Sequence, residues 1–137
     1  MGDNLKIVFT NGCFDIIHRG HLEMLKYSKN LGDLLIVAID TDDRVRDSKG
    51  HGRPINNQED RKYMLQSLRY VDKVEFFDTD IELENIVKLY APDVMVVGDD
   101  YKNKKVIGSE YANKLEFFRR IDGYSTTSCI KKSTSIR

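Results

Sequence analysis

The chain predicts an α/β fold, a single doubly wound parallel sheet, on three observations. Short apolar runs rich in β-branched residues recur along it, amphipathic stretches alternate with those runs, and polar, often glycine-bearing segments follow several of the runs. Right-handed crossovers then place helices on both faces of one sheet. The length, 137 residues, suits one domain over 1–137.

Lys6-Ile7-Val8-Phe9 reads as a buried strand that leaves into a turn at Thr10-Asn11-Gly12. A helix is expected over 20–30, where Leu22, Met24 and Leu25 recur at helical spacing before the stop at Leu31-Gly32-Asp33. The continuous apolar run 34–39 predicts a strand covered on both faces. Residues 40–56 are polar, carry Gly50, Gly52 and Pro54, and read as a long functional loop. Asn57 and Asp60 then open a helix over 58–68 with Met64, Leu65 and Leu68 on one side. A strand is expected over 71–77, and a helix over 81–90 whose apolar side is Ile81, Ile86, Val87 and Tyr90 and which stops before Pro92. Val94-Met95-Val96-Val97 is the next buried strand. The pattern weakens after Gly98-Asp99-Asp100-Tyr101, returns as a strand near 115–118, and closes with a helix opened by Ser125-Thr126-Thr127.

Twenty-two Lys and Arg balance twenty-two Asp and Glu, so the formal charge is zero. That gives no bulk attraction to a polyanion, and no nucleic-acid or membrane partner is expected. No apolar run approaches the roughly 20 residues that span a bilayer, and the start of the chain is polar and acidic, which together predict a soluble cytoplasmic protein. Cys13 and Cys129 form no CxxC pair and read as two reduced thiols.

Ligands of a doubly wound sheet bind outside the carboxyl ends of its strands, so polar features that follow strands are the candidates. His18-Arg19-Gly20-His21 stands where the first loop enters its helix. Two imidazoles three apart share a helix face, the glycine lets a phosphate approach the backbone, and the helix start offers free N–H donors. Exposed histidines of no special role, or a metal pair, have the same spacing; no third ligand lies nearby in the sequence. Arg44, Arg46 and Lys49, with Arg53 beyond, form a basic segment that suits the phosphates of a nucleotide. Interleaved Asp40, Asp42, Asp43 and Asp47 equally suit surface ion pairs. Ser125, Thr126 and Thr127 offer hydroxyls behind Arg119 and Arg120, and Gly98-Asp99-Asp100 is either a turn or a carboxylate site for magnesium or a nucleoside hydroxyl. No P-loop, third dinucleotide-fingerprint glycine or GxSxG elbow occurs.

Gly12-Cys13-Phe14-Asp15-Ile16-Ile17-His18-Arg19-Gly20-His21 resembles the G-x-F-D-x-x-H-x-G-H signature of the cytidylyltransferase-like nucleotidyltransferases, the HxGH superfamily with a Rossmann-like sheet. Leu31-Gly32-Asp33, Arg53-Pro54-Ile55-Asn56, Arg61, Tyr70-Val71-Asp72, Gly98-Asp99-Asp100 and Gly123-Tyr124-Ser125-Thr126-Thr127 recur in the same order, so the similarity spans about 6–132. The resemblance implies transfer of a nucleoside monophosphate from a triphosphate to a phosphorylated polyol or sugar, with release of pyrophosphate. It implies catalytic roles for His18, His21 and Lys49. It implies nucleotide binding by Thr10, Gly12, Phe14, Asp15, Gly20, Arg46, Gly98, Asp99, Arg120, Ser125, Thr126 and Thr127, and acceptor binding by Arg61 and Asp40. Mg2+ is expected with the triphosphate, no metal is expected on the protein alone, and relatives imply a homodimer.

Two subfamilies compete. Thr10-Asn11-Gly12, Lys49-Gly50, Arg53-Pro54 and Ile107-Gly108-Ser109 are similar to the adenylyltransferases that make ADP-heptose from ATP and heptose 1-phosphate. Those often carry a lysine where this chain has Val97. Val97-Gly98-Asp99-Asp100-Tyr101, Arg69-Tyr70-Val71-Asp72 and Arg120 resemble the glycerol-3-phosphate cytidylyltransferases, and the positions that discriminate favour CTP with glycerol 3-phosphate, giving CDP-glycerol. Either product is a cell-surface polysaccharide precursor. A nucleotide-binding regulatory protein without catalysis is the reading from another class.

Overall fold

The computed structural model describes residues 4–119. Within them lie β1 (Ile7–Gly12), α1 (Arg19–Lys29), β2 (Leu34–Asp40), α2 (Asp42–Lys49), α3 (Gln58–Gln66), β3 (Lys73–Phe77), α4 (Asp80–Tyr90), β4 (Val94–Gly98) and β5 (Lys114–Phe118), with 3-10 turns at Asp99–Tyr101 and Ser109–Tyr111. The five strands form one sheet in the order β3-β2-β1-β4-β5, and every neighbouring pair is parallel. This is the expected doubly wound arrangement. The Ser125-Thr126-Thr127 helix lies outside the described residues.

Alternation along the strands feeds two cores. Val8, Leu35, Val37, Ile39, Val94 and Val96 pack with Leu25 of α1 and Leu65 of α3. Phe9, Ile36, Ala38, Met95 and Val97 pack on the other face with Leu83 and Val87 of α4. Both faces being covered explains why these strands read as unbroken apolar runs. Among the described residues, no helix is long and apolar enough to cross a membrane.

Two expectations are corrected. Residues 42–49 of the expected loop are helical: Thr41 caps α2 by accepting the N–H of Arg44, Asp42 and Asp43 occupy its first turn, and Arg46 and Lys49 its last, as the helix dipole favours. Val45 is its sole buried residue, so no apolar stripe marked it. In α4 Val87, Ile86 and Tyr90 face the core as expected, joined by buried Leu83, whereas Ile81, in the first turn, is 70% exposed.

The amino edge of the sheet is tied by a repeated device. Asp33, Asp72 and Asp93 each directly precede a strand and accept a neighbouring backbone N–H on Oδ2, from Lys6, Leu35 and Ile7 respectively, at 2.8 Å each. Each also donates its own N–H to the carbonyl of that same residue, at 2.7, 3.0 and 2.9 Å. Gly32 is packed into this edge, where an added Cβ would lie 2.8 Å from both the Lys6 carbonyl oxygen and Val8 Cγ2. Gly32→Ala is therefore expected to cost about 1–3 kcal/mol and to lower the thermal midpoint by several degrees, measured by circular dichroism. An unchanged midpoint would mean that the edge yields at no cost.

Candidate active site

Strand order reverses at the β1–β4 boundary, because β2 and β3 follow β1 on one side while β5 follows β4 on the other. The β1–β4 ladder runs only from Val8↔Val94 to Thr10↔Val96, although β1 continues to Gly12 and β4 to Gly98. The strands therefore part at their carboxyl ends, where the rule for doubly wound sheets puts the ligand. Thr10 closes the last rung, its buried hydroxyl donating to the Val96 carbonyl at 2.8 Å. A cleft of about 890 Å³ opens above it.

Of the residues singled out in the sequence, Thr10, Gly12, Phe14, His18, Gly20, His21, Asp40, Lys49 and Gly98 line this cleft. His18 is the N-cap of α1 in extended conformation and His21 stands at the third helical position. Their rings stack with centroids 3.8 Å apart and planes 19° from parallel. The backbone N–H of His18 donates to Nδ1 of His21 at 3.2 Å, which leaves the proton of a neutral His21 imidazole on Nε2 as a donor. Phe14 buttresses the pair, its ring 5.1 Å from that of His21, and its φ of 51° is a left-handed conformation uncommon for an aromatic residue. A Cβ on Gly12 would come within 3.1 Å of the Phe14 ring, so the glycine leaves room for it.

The basic segment divides. Lys49, at the exposed end of α2, lines the cleft. Arg44 also lines it but is tied by Nε to Asp40 at 3.1 Å and by Nη2 to Asp80 at 2.8 Å, over the Phe77 ring. Burial pushes the Asp40 carboxyl above the usual range, against the pull of Arg44. Arg46 pairs with Asp43 on the exposed side of α2, away from the main cleft. The ion-pair reading thus describes Arg44 and Arg46, and the cleft-facing one describes Lys49.

Asp15 and Arg61 lie behind the lining, each with no exposed side-chain surface. Asp15 accepts the N–H groups of Ile55 and Asn56 at 2.7 and 2.8 Å, which fastens the first loop to the 53–56 segment. Arg61 donates to the carbonyls of Asn56, Cys13 and Asp40 and to the Asp42 carboxylate, at 2.8–3.0 Å. Asp99 is half-buried and does not line the cleft, while Arg120, Ser125, Thr126 and Thr127 lie outside the described residues.

Cys13, Asn11, Arg53, Tyr101 and Lys105 also line the cleft. Cys13 belongs to the signature itself, Asn11 directly precedes it, and Lys105 falls in a stretch with no periodic signal. Burial pushes the Cys13 thiol up, opposed by Lys49 and Arg61. The thiolate is the reactive form, so iodoacetamide is expected to modify Cys13 more slowly at pH 8 than it modifies an unstructured cysteine, with the rate still rising at higher pH. Peptide mass spectrometry would follow the site, and a rate equal to that of a free peptide would contradict the burial effect.

Residues 9–132 match the family described as Cytidylyltransferase-like. The chain belongs to the cytidylyltransferase-like family. That makes it a nucleotidyltransferase by class, as the signature around His18 and His21 implies. Two relatives, each named bifunctional protein HldE, from Campylobacter fetus and Aliarcobacter butzleri, are 47% identical over 92% and 93% of this chain. The matches cover 27% and 26% of those proteins, so the chain spans about a quarter of the length of the curated relatives it matches. Among solved structures, a lipopolysaccharide core biosynthesis protein from Thermoplasma volcanium superposes with a TM-score of 0.71 at 26% identity, over 86% of this chain and 99% of that one. Pantothenate synthetase from Thermus thermophilus shares the fold at a TM-score of 0.56 and 11% identity, over 90% of this chain and 60% of that one.

Proposed function

We propose that the cleft transfers AMP from ATP to a sugar phosphate of the heptose 1-phosphate class, giving an ADP-sugar and pyrophosphate. The observation that carries the reaction type is the stacked His18–His21 pair at the start of α1, on the parted carboxyl edge of β1 and β4.

In that step an oxygen of the acceptor phosphate bonds to the α-phosphorus as the bond to the bridging oxygen breaks, and the electron pair leaves with pyrophosphate. No bond to the protein is needed. What lowers the barrier is positive charge and donors fixed where negative charge grows. His21 offers Nε2–H, the N-terminus of α1 adds backbone N–H groups and the positive end of its dipole, and Lys49 adds a cation. Magnesium would be carried chiefly by the triphosphate oxygens. Bound there, it would neutralise charge on the phosphates.

ATP and heptose 1-phosphate replace the CTP and glycerol 3-phosphate favoured from the sequence. Eight relatives at 44–47% identity carry the HldE name, on the ADP-heptose side of the two resemblances. Val97, whose missing charge favoured CTP, is 7% exposed and packs in the α4-side core with Phe9 and Val87. Packing accounts for an apolar residue there, so it says nothing about the base. Pyrophosphate release with Mg2+, crossing ATP and CTP with heptose 1-phosphate and glycerol 3-phosphate, tests the reading. Release with ATP and heptose 1-phosphate alone is expected; release only with CTP and glycerol 3-phosphate would restore the earlier pairing, and no release with any pair would overturn both.

A further inference from the structure

The arginines around the cleft differ in what their guanidinium groups already hold. Arg44 is bound to Asp40 and Asp80, Arg46 to Asp43, and Arg61 to three carbonyls and Asp42. Arg53 stands apart. It lines both the main cleft and a smaller pocket at the start of α3, and its side chain is only 18% exposed. Its Nε–H is buried with no hydrogen-bond acceptor among the described residues.

Asp15 Oδ2 lies 3.6 Å from that nitrogen, within ion-pair range and beyond hydrogen-bond length, and already accepts the Ile55 N–H at 2.7 Å. The carboxylate therefore keeps the guanidinium charge in place without satisfying its donor. Gly50 and Gly52, both at positive φ, shape the turn that returns the chain from α2 to Arg53. A buried charged donor left without an acceptor is rare in a folded protein, and one on the wall of a cleft calls for a partner beyond the described residues, which a ligand in the cleft can supply. A guanidinium edge, Nε–H beside Nη–H, matches two oxygens of a phosphate.

We infer that Arg53 binds a phosphoryl group of a substrate in this cleft, donating Nε–H and a neighbouring Nη–H to its oxygens. The identity of that substrate rests on the nucleotidyl-transfer reading; the anion site itself does not. Two sources carry the same group, the triphosphate and the acceptor phosphate.

Isothermal titration of the whole chain and of Arg53→Gln with ATP, with heptose 1-phosphate and with inorganic phosphate separates them, with thermal unfolding run beside it. Arg53→Gln is expected to weaken one of the two substrates by about tenfold or more at an unchanged melting midpoint. Loss confined to ATP names the triphosphate, and loss confined to heptose 1-phosphate names the acceptor. Should Arg53→Gln not fold, Arg53→Lys keeps the charge beside Asp15 but loses the fork, and several-fold weaker binding is still expected. Wild-type affinity for all three ligands in a folded variant would overturn the inference and make Arg53 a structural partner of Asp15. If wild-type protein releases no pyrophosphate with any substrate pair while Arg53→Gln still loses phosphate affinity, the proposed reaction fails and the anion site stands.

Discussion

His18→Ala is expected to lower kcat by about 10²–10³-fold while ATP affinity falls by less than about tenfold, because a donor to developing phosphate charge matters most in the transition state. The imidazole also stacks on His21 at the N-cap of α1, and alanine is a poor N-cap residue, so its removal has a structural cost. His18→Asn separates the two effects. Asparagine is a good N-cap, so this variant should keep most of the stability and still lose the turnover. Single-turnover pyrophosphate release together with ATP titration would measure both. Turnover at the wild-type rate in either variant would take His18 out of the chemistry.

Arg61→Met is expected to be the most destabilising single change, by about 3–5 kcal/mol. Methionine would fill the volume but abandon the Asp42 carboxylate and three buried carbonyls that Arg61 now holds. A loss of that size is a large fraction of the roughly 5–15 kcal/mol that keeps a domain folded. Arg61→Lys should fail to rescue, since an ammonium on a flexible stem cannot span four acceptors arranged around a planar fork. Urea unfolding gives the comparison. A wild-type midpoint for Arg61→Met, joined to a raised KM for the acceptor, would instead make Arg61 the acceptor ligand that the family resemblance implies.

These two residues mark where sequence reading works and where it stops. The histidine pair was legible because its spacing, the glycine between the rings and the preceding strand are all local. The buried strands were legible because a sheet covered on both faces demands unbroken apolar runs. Arg61 and Asp15 were not legible as buried groups. Each stands among polar neighbours, and only tertiary contacts that link β1, α2 and α3 remove them from water. Helix α2 was hidden for a related reason: one buried valine makes no stripe, and its evidence lay in Thr41, the acidic first turn and the basic last turn. Val97 carries no information about the base, because a position that lines a cleft can still be held by its core contacts.

The three aspartates at the amino edge have a consequence for how such a domain can diversify. Strand register is indexed there by Asp33, Asp72 and Asp93, at the end of the sheet opposite the cleft, through bonds between backbone and carboxylate that no ligand needs to touch. Loops at the carboxyl edge can then lengthen, shorten or change composition without re-indexing the strands beneath them. A lineage with this division of labour is able to exchange one acceptor for another by editing loops alone. Grafting a carboxyl-edge loop from a relative should therefore alter substrate preference well before it alters the melting temperature.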